Sequence, residues 1–348
     1  MAAGISPLLS TNVQSSPLPP DEVIFGSSRT MQALRSQVHK VANADVPVLI
    51  EGESGTGKDI VAQLIHRLSP VRSGPFVKVN CPAIPGTLVE SELFGYERGA
   101  FTGAHGAKAG RVELANAGTL FLDEISELDL SLQSKLLQLL QDGQFCRIGG
   151  QADTKVEVRV ICATNRSLEE EVANGTFRQD LLYRINVVSL EVPPLRERVS
   201  DIPILMAYFL DLYAKKYNCP AREFSPAMIA AFQRYRWPGN IRELENSIRR
   251  YVILGDKELL IGEMKAQKPE PLDVDFVYDG SMSLKVMSRK AVRQFEDKII
   301  LNALKSHRWN RKQAARVLNI SYRALLYKLK EAGVVERLEL AEMSPEGD

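Results

Sequence analysis

Between about Val23 and Leu254, short apolar runs alternate with amphipathic segments. The runs Val46–Glu51, Phe76–Asn80, Thr119–Asp123 and Glu157–Thr164 have the length and composition of buried strands, and the segment opening at Lys58 has a helical period. Strands that alternate with helices predict a parallel sheet covered on both faces. After Val192-Pro193-Pro194 the pattern changes. Apolar residues then recur at three-to-four spacing through Ile202–Lys216, Pro226–Tyr235 and Ile241–Leu254, which predicts a small all-helical unit. Residues 263–283, with Lys268-Pro269-Glu270-Pro271, read as a linker. Beyond it, Phe295–Lys305, Asn310–Leu318 and Ser321–Lys330 are expected to be helical. Ala314, Val317 and Leu318 are the expected buried face of the second of these, and Leu325, Leu326 and Leu329 that of the third. The expected division is a flexible tail or linker remnant at 1–21, an α/β domain at 22–194, a helical lid at 195–262, the linker, a helical domain at 284–334 and a tail at 335–348. No internal repeat is visible.

Composition narrows the class. A chain of 348 residues can bury more than one core, and no apolar run reaches the 18 residues of a membrane span. The N-terminus lacks the basic-then-apolar pattern of a secretory signal, so a cytoplasmic location without membrane attachment is expected. Cys81, Cys146, Cys162 and Cys219 are far apart and form no Cys-x-x-Cys pair; disulfides and structural zinc are not expected, and burial as small apolar side chains is. The net charge is +1, but Lys285 to Lys330 carry 13 Lys/Arg against 2 Asp/Glu. One end is suited to a polyanion.

Three segments carry chemistry. Gly52-Glu53-Ser54-Gly55-Thr56-Gly57-Lys58 follows an apolar strand and opens a helix, the context a phosphate-binding loop requires. Its backbone N–H groups can wrap phosphates, the helix N-terminus favours negative charge, and Lys58 supplies a point charge. The generic motif continues with Ser/Thr for Mg²⁺, whereas this chain has Asp59, so magnesium must lean on Asp123, phosphate oxygens and water, with Asp59 acting through a water. Thr119–Asp123 ends in the pair Asp123-Glu124, placed to meet a metal with the first acid and orient an attacking water with the second. Between these lies Gly99-Ala100-Phe101-Thr102-Gly103-Ala104, too rich in Gly for a stable helix and too sparse for a packed strand. An exposed mobile loop is expected, with a Phe that loses its burial unless a partner supplies it.

On this hexapeptide the chain resembles the AAA+ activators of sigma-54 RNA polymerase, the bacterial enhancer-binding proteins, and the resemblance covers about residues 22–333. It implies ATP and Mg²⁺ as cofactors and contact with sigma-54 RNA polymerase holoenzyme through residues 99–104. It also implies a ring of identical subunits, expected to be a hexamer. Asn80 matches the asparagine that holds the catalytic glutamate, although an Asn before Cys-Pro is equally a turn former. Asn165 in Ala163-Thr164-Asn165-Arg166 matches sensor I, and Arg242 matches sensor II, which reaches from the lid to the phosphates. Arg178 and Arg184 match the arginines that a neighbouring subunit inserts into the nucleotide site. On a regular helix six residues turn their side chains about 240° apart, so both can serve one phosphate only if a helix boundary falls between them. Ile24 and Gly26, in Val23-Ile24-Phe25-Gly26, match the cleft for adenine, which is equally readable as a first packed segment.

The basic C-terminal unit is similar to Fis-like helix-turn-helix domains, with Asn319 where the family usually has Gly. Ser321 is the expected cap of the recognition helix. Arg311, Lys312, Tyr322, Arg323, Tyr327 and Lys328 join it as candidates for contacting DNA, and paired domains imply palindromic enhancer sites. The fold class expected is an AAA+ α/β P-loop domain with a small all-α lid, followed by a helix-turn-helix domain. The function expected is ATP-driven remodelling of the closed promoter complex into the open one. A DNA-bound repressor keeping ATP only as a structural ligand would be expected to lose Phe101, Thr102, Glu124 or the two arginines. A helicase on the same core would need basic pore loops, and residues 99–104 carry no charge.

Overall fold

A computed structural model describes residues 18–84, 86–220, 223–255, 300, 311–317 and 320–331. The chain separates into two compact units, Met1–Gln267 and Lys268–Asp348.

The strands of the first unit are β1 Val48–Glu51, β2 Phe76–Asn80, β3 Gly95–Tyr96, β4 Lys108–Ala109, β5 Gly118–Asp123, β6 Gln144–Cys146, β7 Asp153–Lys155, β8 Val158–Thr164 and β9 Val188–Glu191. Five of them form a parallel sheet in the order β2-β5-β8-β1-β9. Alternation along the central strands divides two cores. Leu49, Leu120, Leu122, Val160 and Cys162 face one of them, and Val48, Ile50, Phe121, Ile161 and Ala163 the other. Both faces are covered, which is why these strands read as continuous apolar runs rather than as alternating ones. The edge strand β9 was not among the expected elements. Nor were the two antiparallel pairs β3–β4 and β6–β7, whose two- and three-residue strands are too short to show a period.

In-register pairing brings the carboxyl ends of the strands level. Asn80 lies beside Asp123, Asp123 beside Ala163, and Glu51 beside Thr164. Helix α1, Asp21–Phe25, and α2, Arg29–Ala42, precede the sheet, and α3, Lys58–Leu68, leaves β1 through the glycine-rich turn. Then follow α4 Gly86–Phe94, α5 Arg111–Leu114, α6 Leu130–Asp142, α7 Leu168–Ala173 and α8 Gln179–Ile185. The three lid helices α9 Ile202–Tyr217, α10 Pro226–Arg234 and α11 Asn240–Leu254 close around Trp237, Phe232, Leu244, Ile248 and Tyr251. Trp237 is fully buried and adopts φ 51°, a costly backbone conformation for a bulky residue, and its indole donates to the carbonyl of Phe232 at 2.8 Å. Cys81 and Cys162 are buried as expected, whereas Cys146 and Cys219 are only half-buried.

In the second unit, helices run over Arg311–Val317 and Tyr322–Glu331. Ser321 Oγ accepts from the backbone N–H of Ala324 at 3.1 Å, the capping expected of it. Leu325 and Leu329 are buried as expected, but Val317 is not: 61% of it is exposed, whereas Ala315 in the same helix is buried. Two residues turn a helix by 200°, so the face that buries Ala315 directs Val317 to solvent. The side chains of Ala314 and Leu326, residues Leu318 and Asn319, the 263–283 linker and Phe295–Lys305 apart from Ile300 lie outside the described residues, as do 1–17 and 332–348.

Candidate nucleotide site and its loop

The glycine-rich turn joins β1 to α3 with Gly52, Gly55 and Gly57 all at positive φ. Gly55 also needs its lack of a side chain for space, because a Cβ there would sit 2.5 Å from the carbonyl oxygen of Gly239. Lys58 is buried, and its ammonium donates to the carbonyls of Gly52 at 2.8 Å and Glu53 at 3.3 Å. It also lies 3.4 Å from Glu124 Oε1. The ammonium is therefore held between its own loop and Glu124.

Glu124 follows β5 in the left-handed conformation, φ 58° and ψ 60°, a strain of about 1–3 kcal/mol that the surrounding structure has to hold. Its second oxygen accepts from the backbone N–H of Asn165 at 2.9 Å. The expected sensor residue is thus at the carboxylate, but through its main chain. Asn80 lies one strand away, beside Asp123, and no hydrogen bond joins its side chain to Glu124 among the described residues. Asp123 points toward Lys78 on β2, whose ammonium is 3.0 Å from Asp123 Oδ2 and 3.5 Å from Asp59 Oδ2. Burial, reinforced by the charge of Asp123, pushes the Cys81 thiol up to about 12, so this cysteine beside the site stays protonated at neutral pH.

The lid closes over the turn through its first residues. Asn240, fully buried with φ 51°, accepts from Leu195 N–H at 2.8 Å and donates to Glu53 Oε2 and the Ser54 carbonyl at 3.1 Å each. Ile241 N–H donates to the Gly55 carbonyl at 2.9 Å, and Arg242 Nη1 reaches Ser54 Oγ at 3.3 Å. Arg242 is thus placed beside the glycine-rich turn.

The segment after the two prolines was missed by pattern reasoning. Arg196 forks onto Glu53 at 2.6 and 2.8 Å and, by that hydrogen bonding first, holds its carboxyl below the usual range. Buried Arg198 donates to the Thr56 carbonyl at 2.9 Å, and burial lowers its pKa to about 10. Buried Asp201 accepts from the N–H groups of Ser27 and Ser28 at 2.7 and 2.9 Å. This fixes the chain beyond Ile24 and Gly26, and a Cβ on Gly26 would collide with the Asp201 carboxylate. Ile24 packs at the margin of the sheet core and Val23 at that of the lid core, so the expected adenine segment bridges the two. The signal available in sequence was the density of charge in Leu195–Asp201, too high for a plain connector.

Arg178 is the residue before α8 and has extended backbone, so the helix boundary falls at it. It forks onto Asp180 and reaches Ser134 on α6, while Arg184 donates to the carbonyl of Leu140 on the same helix at 2.7 and 3.1 Å. The boundary brings both arginines to α6, six residues apart along it, about 9 Å. Neither touches this chain's Glu124 among the described contacts.

Residues 99–104 form the turn of the β3–β4 pair. A Cβ on Gly99 or Gly103, both at positive φ, would meet nothing within 4 Å. The backbone closes on itself, Gly99 N–H to the Ala104 carbonyl at 2.9 Å and Ala104 N–H to that of Phe101 at 3.0 Å. Phe101 is 43% exposed, but Tyr96 meets it edge-on at 4.9 Å, and Ala104 is buried. The ring expected to lack a partner thus has one within its own hairpin. At the base, Arg147 joins Glu97 at 3.0 Å to Glu113 at 2.7 Å.

In the second unit, Arg311, Ser321, Tyr322, Arg323 and Tyr327 are exposed and Lys328 is half-exposed; the side chain of Lys312 is outside the described residues.

The family described as the sigma-54 interaction domain matches residues 24–191, that of the AAA+ ATPase lid domain residues 196–266, and the Fis family of bacterial regulatory proteins residues 291–331. The chain is 42% identical to the response regulator protein PilR of Pseudomonas aeruginosa over 327 residues, 93% of this chain and 72% of PilR. It is 43% identical to the regulatory protein AtoC of Escherichia coli over 316 residues, 89% of this chain and 68% of AtoC. Among solved structures, NtrX from Brucella abortus in complex with ATP superposes with a TM-score of 0.64 at 35% identity, covering 88% of this chain and 68% of NtrX. The parallel sheet with its phosphate-binding turn, the helical lid and the Fis-type helix-turn-helix, together with these likenesses, place the chain in the family of sigma-54-dependent transcriptional activators, the bacterial enhancer-binding proteins.

Proposed function

We propose that this protein hydrolyses ATP to remodel the closed sigma-54 promoter complex into the open one, touching sigma-54 through residues 99–104 while its C-terminal domain holds enhancer DNA. The observation that carries the reading is the presence, in one compact unit, of a complete phosphate-binding site and a two-stranded hairpin that ends in an uncharged, half-exposed Phe101. The working parts divide as residues 22–194, 195–262 and 284–334, in the cytoplasm where DNA and polymerase are found. The subunits assemble as a ring, a hexamer in this reading.

In the pocket, Lys58 transfers from its own loop carbonyls and Glu124 to the β- and γ-phosphates, which frees Glu124 to orient the attacking water. Asn80, beside Asp123, can restrain that carboxylate in another state of the ring, and Asn165 meets the γ-phosphate side. Ile24 and Gly26 flank adenine. Arg178 and Arg184, parked on α6 within the free chain, act on the neighbouring subunit's nucleotide. Arg242 couples the lid to the phosphates.

Asp123 and Asp59 already converge on one ammonium, and no group of three or more His, Cys, Asp or Glu among the described residues could cage an ion. A pair of carboxylates that leaves most positions to phosphate and water fits Mg²⁺. Asp123 would hold it directly and Asp59 through water, and it would supply neutralisation of the charge developing on the phosphoryl oxygens.

For DNA, paired helix-turn-helix domains fit a palindrome, with phosphate contacts from Arg311, Lys312, Ser321, Tyr322, Tyr327 and Lys328. Arg323 is the proposed base contact; Arg323→Ala should cost about 1–3 kcal/mol on the specific site and little on random DNA, as footprinting would read.

The deciding experiment mixes the purified chain with sigma-54 polymerase, promoter and enhancer DNA, and ATP, and reads strand opening by permanganate reactivity. Opening that needs ATP hydrolysis, with ATPase activity rising as subunits are concentrated, is the expected result. Hydrolysis without opening would sink the remodelling assignment.

A further inference from the structure

Strand β2 places Lys78 on the same face as Asn80, and the in-register neighbour of Lys78 on β5 is Phe121. Its stem crosses that ring, the ammonium 5.5 Å from the centroid, and the charge ends between Asp123 and Asp59. These are the two carboxylates assigned to magnesium. The two acids come from different elements, the end of β5 and the first turn of α3. Lys58, the other ammonium of the pocket, pairs with Glu124.

We infer that Lys78 is a resident counter-ion of the nucleotide pocket, holding the metal-facing carboxylates until a divalent cation displaces it. The inference rests on the reading that Asp123 and Asp59 serve Mg²⁺. Two features make the ammonium displaceable rather than fixed. Lys78 is 38% exposed, so its ammonium can swing into solvent and be hydrated there. Partly exposed ion pairs are worth only about 0.2–1 kcal/mol each, a stabilisation that a doubly charged ion carrying phosphate ligands can exceed. A single positive charge at this position opposes a second, so free metal is disfavoured and metal arriving with phosphate is not. Lys78 is in this account a positioning residue that sets the metal threshold of the site and takes no part in bond breaking.

The test uses the full chain and fluorescent ADP. Mg²⁺ is titrated against ADP binding, with Mn²⁺ alone, followed by paramagnetic resonance, as the second readout. In K78M, whose side chain keeps the stem over Phe121, the Mg²⁺ concentration that half-completes the change in ADP affinity should fall about threefold or more, and Mn²⁺ should bind more tightly without nucleotide. K78R keeps the charge and should stay at or above the wild-type requirement. An unchanged or raised Mg²⁺ requirement in K78M overturns the inference. So does weaker ADP binding by K78M in EDTA, which would make Lys78 a phosphate ligand. Should K78M fail to fold by thermal melting, K78Q is read in its place by the same criteria. If wild-type ADP binding ignores Mg²⁺ altogether while D123N leaves it unaltered, the metal reading itself falls and takes this inference with it.

Discussion

The phosphate-binding turn and the turn of residues 99–104 are both rich in glycine, and they are built to opposite ends. Around the first, Gly52–Lys58 is tied to the lid by Asn240 and Ile241, to the segment after the prolines by Arg196 and Arg198, and to Glu124 by Lys58. Around the second, a Cβ on Gly99 or Gly103 would touch nothing, and the bonds that close the turn are its own. Glycine thus serves a turn held by many partners in one place and a turn that stands clear of them in the other. What separates them is the density of partners from distant parts of the chain.

The largest effects should fall on the held turn. Lys58→Ala should abolish nucleotide binding, whereas Glu124→Gln should bind and lose about 10³-fold or more in turnover, because only the carboxylate that orients water is gone. Equilibrium binding and phosphate release separate the two, and a Glu124→Gln enzyme hydrolysing at the wild-type rate would remove Glu124 from the catalytic role. The reciprocal experiment is on the free turn. Phe101→Ala and Thr102→Ala should leave ATPase activity within about twofold and eliminate promoter opening, since neither contacts the pocket. A parallel loss of both activities would mean that the two regions are not separable.

A matched pair of substitutions sharpens the contrast further. Gly55→Ala should abolish tight nucleotide binding and lower the melting temperature, its methyl driven onto the Gly239 carbonyl. Gly103→Ala carries only the conformational cost of positive φ, on the order of 1 kcal/mol, because its methyl would meet nothing within 4 Å. Equal melting shifts would refute the difference in partner density. The smallest effect concerns the sheet beneath. His66 is buried, its Nδ1 2.9 Å from Thr119 Oγ1, and burial first, then the charges of Arg159 and Arg67, hold its pKa below 6.5. A depressed pKa means that the unfolded chain takes up the proton first, so the stability His66 contributes is present above about pH 6.5 and is lost as pH falls through its folded value. Melting temperature should therefore decline on acidification from pH 7.5 to 5.5, and less so in His66→Gln. A decline of the same size in both proteins would exclude His66 as its source.

The strands of the sheet were legible because burial on both faces leaves runs such as Leu120-Phe121-Leu122 with no polar interruption. Strand β9 was hidden by its position before Val192-Pro193-Pro194, which reads as a boundary. Glu124, Lys58 and Arg242 could be found from local motifs, since each sits at the start or end of an element. The roles of Arg198 and Asp201 could not, because their partners Thr56 and Ser27 are 142 and 174 residues away. Val317 was misread for a simpler reason: with so few turns in its helix, an apolar residue can satisfy the spacing and still face water. Phe101 was read as an unpartnered ring, and Tyr96, only five residues earlier, carried no sign of being its neighbour.

Asn240, the first residue of α11, is bonded at once to the phosphate-binding turn and to Leu195, which pins the base of that helix to the turn. A helix of 15 residues is about 22 Å long, and a tilt of about 5° imposed at Asn240 carries its far end, Leu254, through about 2 Å. A small shift of the loop, passed through Asn240, would thus be magnified at the far end of a lever.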